Sequence, residues 1–276
     1  MMGDGGFDVS RPHPARRYNY WLGGKDHFQA DRDSAAMIEE FMPSVRIGAL
    51  ENRRFHGRVV RYLAAEAGVR QFVDIGCGLP APDNTHEIAQ DVDPTARVVY
   101  VDNDPLVLVH ARALLTGTRE GRTAYLDADL REPDLIVGSS EVRSTLDLDR
   151  PVAVLLVAVM HFILDTDDPY GLVSRLTGPL PAGSYLVLTN ATTDFMPPER
   201  IAIFDAANAR ADRREDRVRL RSRAEVERFF AGLDLVPPGV CPVTAWRPAD
   251  PDAPRPALAD VSAFGGVARI PQPPSS

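Results

Sequence analysis

The chain of 276 residues predicts an α/β fold: a mostly parallel seven-stranded sheet with helices on both faces, preceded by an N-terminal helical extension. Three observations predict it. From Arg70 onward, short β-branched apolar runs alternate with stretches of helical spacing, the pattern of parallel strands joined by helical crossovers. The run "VAVLLVAVM" (152–160) is apolar at every position, as a strand covered on both faces must be. The last two apolar runs, "LDLVPPGVCPVTAW" and "SAFGGVARI", contain prolines or lack a helix between them, which predicts an antiparallel end to the sheet.

The elements follow in order. Residues 1–13 are Gly- and Asp-rich at the start and are expected to be disordered. Residues 14–69 form a helical extension, with one helix over Ala30–Phe41 ended by Pro43. A second places Leu50, Phe55, Val59, Tyr62 and Leu63 along one face. The main domain is expected over 70–271, with 272–276 as a tail. "QFVDIG" is its first strand, followed by a helix "NTHEIAQDV" with Asn84 and Glu87 forming a capping box. "ARVVYVDND" is the second strand, and a helix opens at Pro105. "RTAYLDADL", "PVAVLLVAVMHF" and "GSYLVLTNA" are the third, fourth and fifth strands, and helices follow at "PPERIAIFDAANAR" and "SRAEVERFFAGL".

Composition narrows the function. Lys+Arg 31 against Asp+Glu 39 gives a net charge of −8, which argues against nucleic acid or an anionic membrane as partner. No apolar run approaches the ~20 residues of a membrane span, and the N-terminus lacks the apolar core of a signal peptide. Cys77 and Cys241 match no metal-ligand spacing, so no metal is expected and a reducing cytoplasm is the expected compartment. The basic run "RADRREDRVRLRSR" (210–223) is interrupted by acids and reads as a solvated helix face. All but one of the cationic side chains counted above are arginine, as in a GC-rich genome; the exception is Lys25.

Four motifs carry chemistry. In "FVDIGCGLP", Asp74 ends a buried strand and Gly76-Cys77-Gly78 allow a sharp turn and close approach to a ligand at the carboxyl edge of the sheet. The dinucleotide fingerprint needs a third glycine running directly into a helix, whereas Leu79-Pro80-Ala81-Pro82 follow here. An acid before the first glycine suits a ligand with a cationic amino group. In "VYVDNDP", Asp102 is placed to accept ribose hydroxyls, and Asn103 either contacts a base or shapes the turn. In "YLDADLRE", Asp129-Leu130 is the preferred pair for an adenine, with Asp127-Ala128 second and a helix cap as the plain alternative. In "AVMHFILD", His161 either takes a proton from a nucleophile or only packs against the cofactor or bonds to backbone.

Together these residues resemble a class I S-adenosylmethionine-dependent methyltransferase of Rossmann-like fold. At closer range "ARRYNYWLGGKDHFQADR", "FVDIGCGLPAPDNTHEIAQ", "RVVYVDNDPLVLVHARALL" and "FGGVARIP" resemble the bacterial S-adenosyl methyltransferase family first catalogued as a domain of unknown function. The resemblance covers about Pro14 to Pro271. It implies S-adenosyl-L-methionine as cofactor, with Asp74, Gly76 and Gly78 at its methionine part, Asp102 at the ribose, Asp129 and Leu130 at the adenine, and His161 and Val159 lining the wall near the sulfonium; Cys77 and Asn103 are counted with the cofactor residues. It implies no particular acceptor; a small or medium-sized molecule is expected. Ala81-Pro82 departs from the Thr-containing pair expected there. The opening cluster Tyr18, Asn19, Tyr20, Trp21, Gly23, Gly24, Lys25 and Asp26 is expected to form a lid and acceptor wall, with Lys25 contacting an acidic acceptor or a structural carboxylate. The competing functions are an NAD(P)-dependent oxidoreductase and a non-catalytic protein that senses the donor or its demethylated product.

Overall fold

The computed structural model describes residues 8–114, 117–211 and 213–272. In chain order the elements are α1 (Pro14–Trp21), α2 (Gln29–Phe41), α3 (Val45–Ala65), β1 (Gln71–Ile75), α4 (Thr85–Val92), β2 (Arg97–Asp102), α5 (Pro105–Leu114) and β3 (Arg122–Asp127). Then come α6 (Pro133–Gly138), α7 (Ser140–Thr145), β4 (Ala153–Leu156), α8 (Pro169–Thr177), β5 (Tyr185–Ala191) and α9 (Pro198–Ala209). The chain closes with α10 (Arg223–Arg228), β6 (Asp234–Leu235), β7 (Cys241–Pro242), α11 (Leu258–Val261) and β8 (Ala263–Arg269).

The sheet runs β3-β2-β1-β4-β5-β8-β6, with β7 pairing on β8. β1 to β5 are mutually parallel, and β8 is antiparallel to β5, β6 and β7. The order reverses between β1 and β4, so the carboxyl ends of β1, β2 and β4 border a crevice where ligands of such sheets bind. The count is eight strands where seven were expected. The reason is local: Pro237, Pro238 and the turn at Gly239 separate the two two-residue strands β6 and β7.

Strand periodicity divides the core. Val73, Ile75, Val99, Val101, Val154 and Leu156 face α6, α7, α8 and α10. Phe72, Val98, Tyr100, Ala153 and Leu155 face α3, α4 and α5, where Phe55, Val59 and Leu63 are fully buried. The helical extension expected over 14–69 thus reaches into the core with its last helix. The capping box forms as the sequence predicts: Asn84 N–H donates to Glu87 Oε2 at 2.8 Å. The fourth strand is shorter than expected. It stops at Leu156, because Ala158 takes a left-handed φ of 60° and a single 3₁₀ turn, Met160–Phe162, follows. Residues 1–7 of the expected disordered N-terminus and 273–276 of the tail lie outside the described residues, whereas Asp8–His13 lead into α1 with His13 as its N-cap. Among the described residues, no helix is long and apolar enough to cross a membrane.

Candidate functional site

Asp74 and Asp102 sit on the same side of the sheet as Phe72 and Tyr100, by the two-residue strand period. Both are buried. Asp74 Oδ2 accepts from Thr85 Oγ1 at 2.6 Å, and His56 Nε2 lies 3.7 Å from the same oxygen. No protein donor reaches Asp74 Oδ1 among the described residues. Burial works against the charge of Asp74, but the His56 imidazole and the Thr85 hydroxyl outweigh it and hold the carboxyl below its ordinary range. Asp102 is held differently: Gly78 N–H donates to Oδ2 at 2.9 Å and Asp104 N–H to Oδ1 at 3.0 Å. Burial pushes its pKa up to about 6, and these backbone donors only partly offset the rise.

The Gly76-Cys77-Gly78 turn needs its glycines for different reasons. Gly76 has φ +69°, and a Cβ there would meet Val159 Cγ2 at 2.8 Å. Gly78 has φ +67°, with nothing within 4 Å of a Cβ. The turn is therefore closed by Val159 on one side and open at Gly78 on the other. Cys77 packs beside Leu79, Leu106 and Val107, and burial raises its thiol pKa well above the ordinary value.

At the next strand ends, Asn103 Nδ2 donates to Asp129 Oδ2 at 3.0 Å, and Arg131 Nη1 donates to the same oxygen at 2.8 Å. Asp127 is exposed beside them. Leu130 follows and is buried. Asp129 starts a turn in which Glu132 N–H bonds back to its carbonyl, and this rotates Leu130 into the core against the helices. His161 stands in the turn after β4 with its Nδ1 buried and without a hydrogen-bond partner. Burial, and then the nearby Arg221 charge, lower its pKa to about 4, so the ring is neutral at physiological pH.

The opening cluster divides. Tyr18 Oη donates to the Ala49 carbonyl at 2.9 Å, Trp21 Nε1 donates to Glu39 at 3.1 Å, and the Arg46 guanidinium stacks 4.4 Å over Tyr20. These contacts anchor α1 on α2 and α3. Asn19 Oδ1 accepts from Asp26 N–H at 3.1 Å and shapes the Gly23-Gly24 turn; a Cβ at Gly24 would meet Asn19 at 2.3 Å. Asp26 faces His110 of α5 at 3.9 Å. Lys25 is exposed and has no ion-pair partner among the described residues, so it is paired neither to Asp26 nor to another carboxylate.

The basic run 210–223 also differs from expectation. Arg210 caps α9, a 3₁₀ turn follows at Arg214–Asp216, and residues 217–222 form no helix and reach β5, where Arg221 N–H donates to the Ala191 carbonyl at 3.0 Å. Arg221 is 0% exposed. Its guanidinium donates to the carbonyls of Met160 (2.9 Å) and Ile163 (2.8 Å), to Asn190 Oδ1 (3.1 Å) and to Asp165 Oδ1 (3.1 Å). Arg219 N–H donates to the His161 carbonyl at 2.7 Å. This strap thus clamps the turn that carries His161. It also meets the arm: Arg17 Nη1 donates to Asp216 Oδ1 at 2.8 Å, and Leu220 clusters with Phe41 and Met42. Arg214 pairs with Asp167, which lies 4.0 Å from Arg131. Sequence reading missed Arg16, Asp104 and Arg221. The Pro after Asp104, marking it as a helix-start position, was the one local signal.

The fold is matched by known proteins. A DUF574 family protein of Streptomyces avermitilis MA-4680 is 45% identical, with TM-score 0.89 over 96% of this chain and 99% of that one. A protein of Thermobifida fusca YX solved as a candidate methyltransferase is 38% identical, with TM-score 0.84 over 96% and 97% of the two chains. No curated protein matches the sequence. The S-adenosyl methyltransferase family matches over residues 4–271. At that extent of match the chain belongs to the S-adenosyl methyltransferase family, and it is a methyltransferase that uses S-adenosylmethionine.

Proposed function

We propose that the methyl donor lies across the carboxyl ends of β1, β2 and β3 and that a small or medium-sized acceptor enters between the N-terminal arm and the turn after β4. The observation that carries this reading is the pair of edge carboxylates flanking the open glycine turn. Asp74 keeps its charge and one oxygen without a donor, which suits the cationic amino group of the donor's methionine part. Asp102 is weakly acidic and has two backbone-oriented oxygens, which suits neutral ribose hydroxyls. Asn103 and Asp129 offer polar atoms to the adenine side, and open space at Gly78 admits the chain between the two ends.

Bound there, S-adenosylmethionine supplies an electrophilic methyl group on a positively charged sulfur. The protein's task is then to align an acceptor lone pair and exclude water. His161 is a neutral ring with a free buried nitrogen and a pKa of about 4, which makes it a hydrogen-bond acceptor for the incoming O–H or N–H and a weak base. The first part of the arm, with Ala15 and Phe28, packs on the loops after β1 and β2, and exposed Lys25 between α1 and α2 favours an acceptor bearing an anionic group. The two free thiols fit a reducing cytoplasm.

Calorimetric titration with S-adenosylhomocysteine and with NAD⁺ tests the site. Binding of the first and not the second is expected, and the reverse would sink it. A screen of carboxylate- and phosphate-bearing small molecules for release of S-adenosylhomocysteine should give a hit that Lys25→Gln weakens about tenfold through KM.

A further inference from the structure

We propose that Arg16 is a positioning residue of the donor site: through Asp104 it ties docking of the N-terminal arm to the turn that carries Asp102. The inference rests on the reading that Asp102 holds the donor. Arg16 is buried between two buried acids, with Nε 3.3 Å from Asp104 Oδ2 and Nη1 3.8 Å from Asp31 Oδ2. His13 Nδ1 lies 3.1 Å from the same Asp104 oxygen. Asp104 in turn donates its N–H to Asp102 Oδ1, and its own Oδ1 accepts from Leu106 N–H at 3.0 Å at the start of α5. Asp31 Oδ1 accepts from His13 N–H and Oδ2 from Phe28 N–H, so this acid belongs to the arm. Arg16 is therefore the cation joining an acid of the arm to an acid of the donor turn.

An apolar contact runs in parallel. Ala15 and Phe28 of the arm pack on Leu79, beyond the glycine turn, and on Leu106 and Val107 of α5. The arm thus grips both loops that the Gly78–Asp102 hydrogen bond joins. Removing the cation leaves two buried carboxylates facing one another, which the arm relieves by lifting. Linkage then requires reciprocity: whatever tightens the Asp102 turn tightens the arm, and the reverse.

The lone lysine supplies the assay. A lysine-specific endoprotease has one target in this chain, Lys25, in the arm itself. Its cleavage rate is measured with and without S-adenosylhomocysteine, alongside the calorimetric Kd. In the native chain the ligand is expected to slow cleavage about tenfold. Arg16→Gln should raise the Kd about tenfold and abolish the protection, Arg16→Lys should recover much of both, and Asp104→Asn should repeat both losses. Arg17→Gln loosens the arm at Asp216 without touching Asp104 and should change the Kd less than about threefold. An unchanged Kd in Arg16→Gln, or an equal loss in Arg17→Gln, overturns the proposal. If Asp102→Asn alone weakens binding, only this inference fails; if neither Asp102→Asn nor Arg16→Gln does, the donor reading fails as well.

Discussion

The turns after β1 and after β2 each present a buried aspartate at the same edge, yet they are built for opposite tasks. Asp74 is anchored by a side-chain hydroxyl and keeps its charge and a free oxygen. Asp102 is anchored by two backbone N–H groups, and burial pushes its pKa up to about 6. Register explains part of the difference. Asp74 pairs with Tyr100, so Asp102 stands two residues further out, beyond α4 and beside the arm. The difference teaches that an acid's role at this edge is set by what fixes its oxygens, since both acids are buried.

The largest effect that can break this comparison is one of pH on stability. The folded pKa of Asp102, about 6, lies above the ordinary 3.8, so its contribution is fully present below about pH 4 and is lost as pH rises through about 6. Urea unfolding of the ligand-free protein should show the native chain losing about 3 kcal/mol relative to Asp102→Asn between pH 4 and pH 7.5. Parallel pH profiles for the two would mean that Asp102 is not strained by burial.

The next effect concerns charge at the donor. Asp74→Asn removes a charge with a free oxygen for the donor's amino group, whereas Asp102→Asn removes oxygens that are fixed for neutral hydroxyls. The first should weaken S-adenosylhomocysteine binding about 100-fold, or about 2.7 kcal/mol, and the second about tenfold. Calorimetry on both variants decides, and the reverse order would refute the assigned roles. The smallest effect sharpens the anchoring. Thr85→Val strips Asp74 of its hydroxyl donor and should destabilise the fold by about 2 kcal/mol in thermal or urea unfolding. Asp102 has no such side-chain anchor, since both of its donors are backbone N–H groups.

Much of this edge was legible in the chain. The strand ends, the glycine turn and the Asn84–Glu87 box depend on residues a few positions apart, and local spacing reports them faithfully. The aromatic cluster of the arm was legible as a cluster, and only the fold supplied its partners on α2 and α3. Arg221 was not legible at all. Its acceptors at Met160, Ile163 and Asn190 are brought to it by the fold from distant segments, and a run of mixed charges carries no mark of burial.

By itself the sequence determined the parallel sheet, its order of strands and helices, the glycine turn and the acids at the strand ends. Each follows from side-chain periodicity or from backbone conformations that few residues allow. Only the tertiary structure decided which acid burial makes weaker, that the basic run is a strap with Arg221 buried in it, and that Arg16 stands between two acids from different elements. Burial and pairing depend on groups far apart in sequence, and the free energy of a charge is set by those neighbours rather than by the residue that bears it.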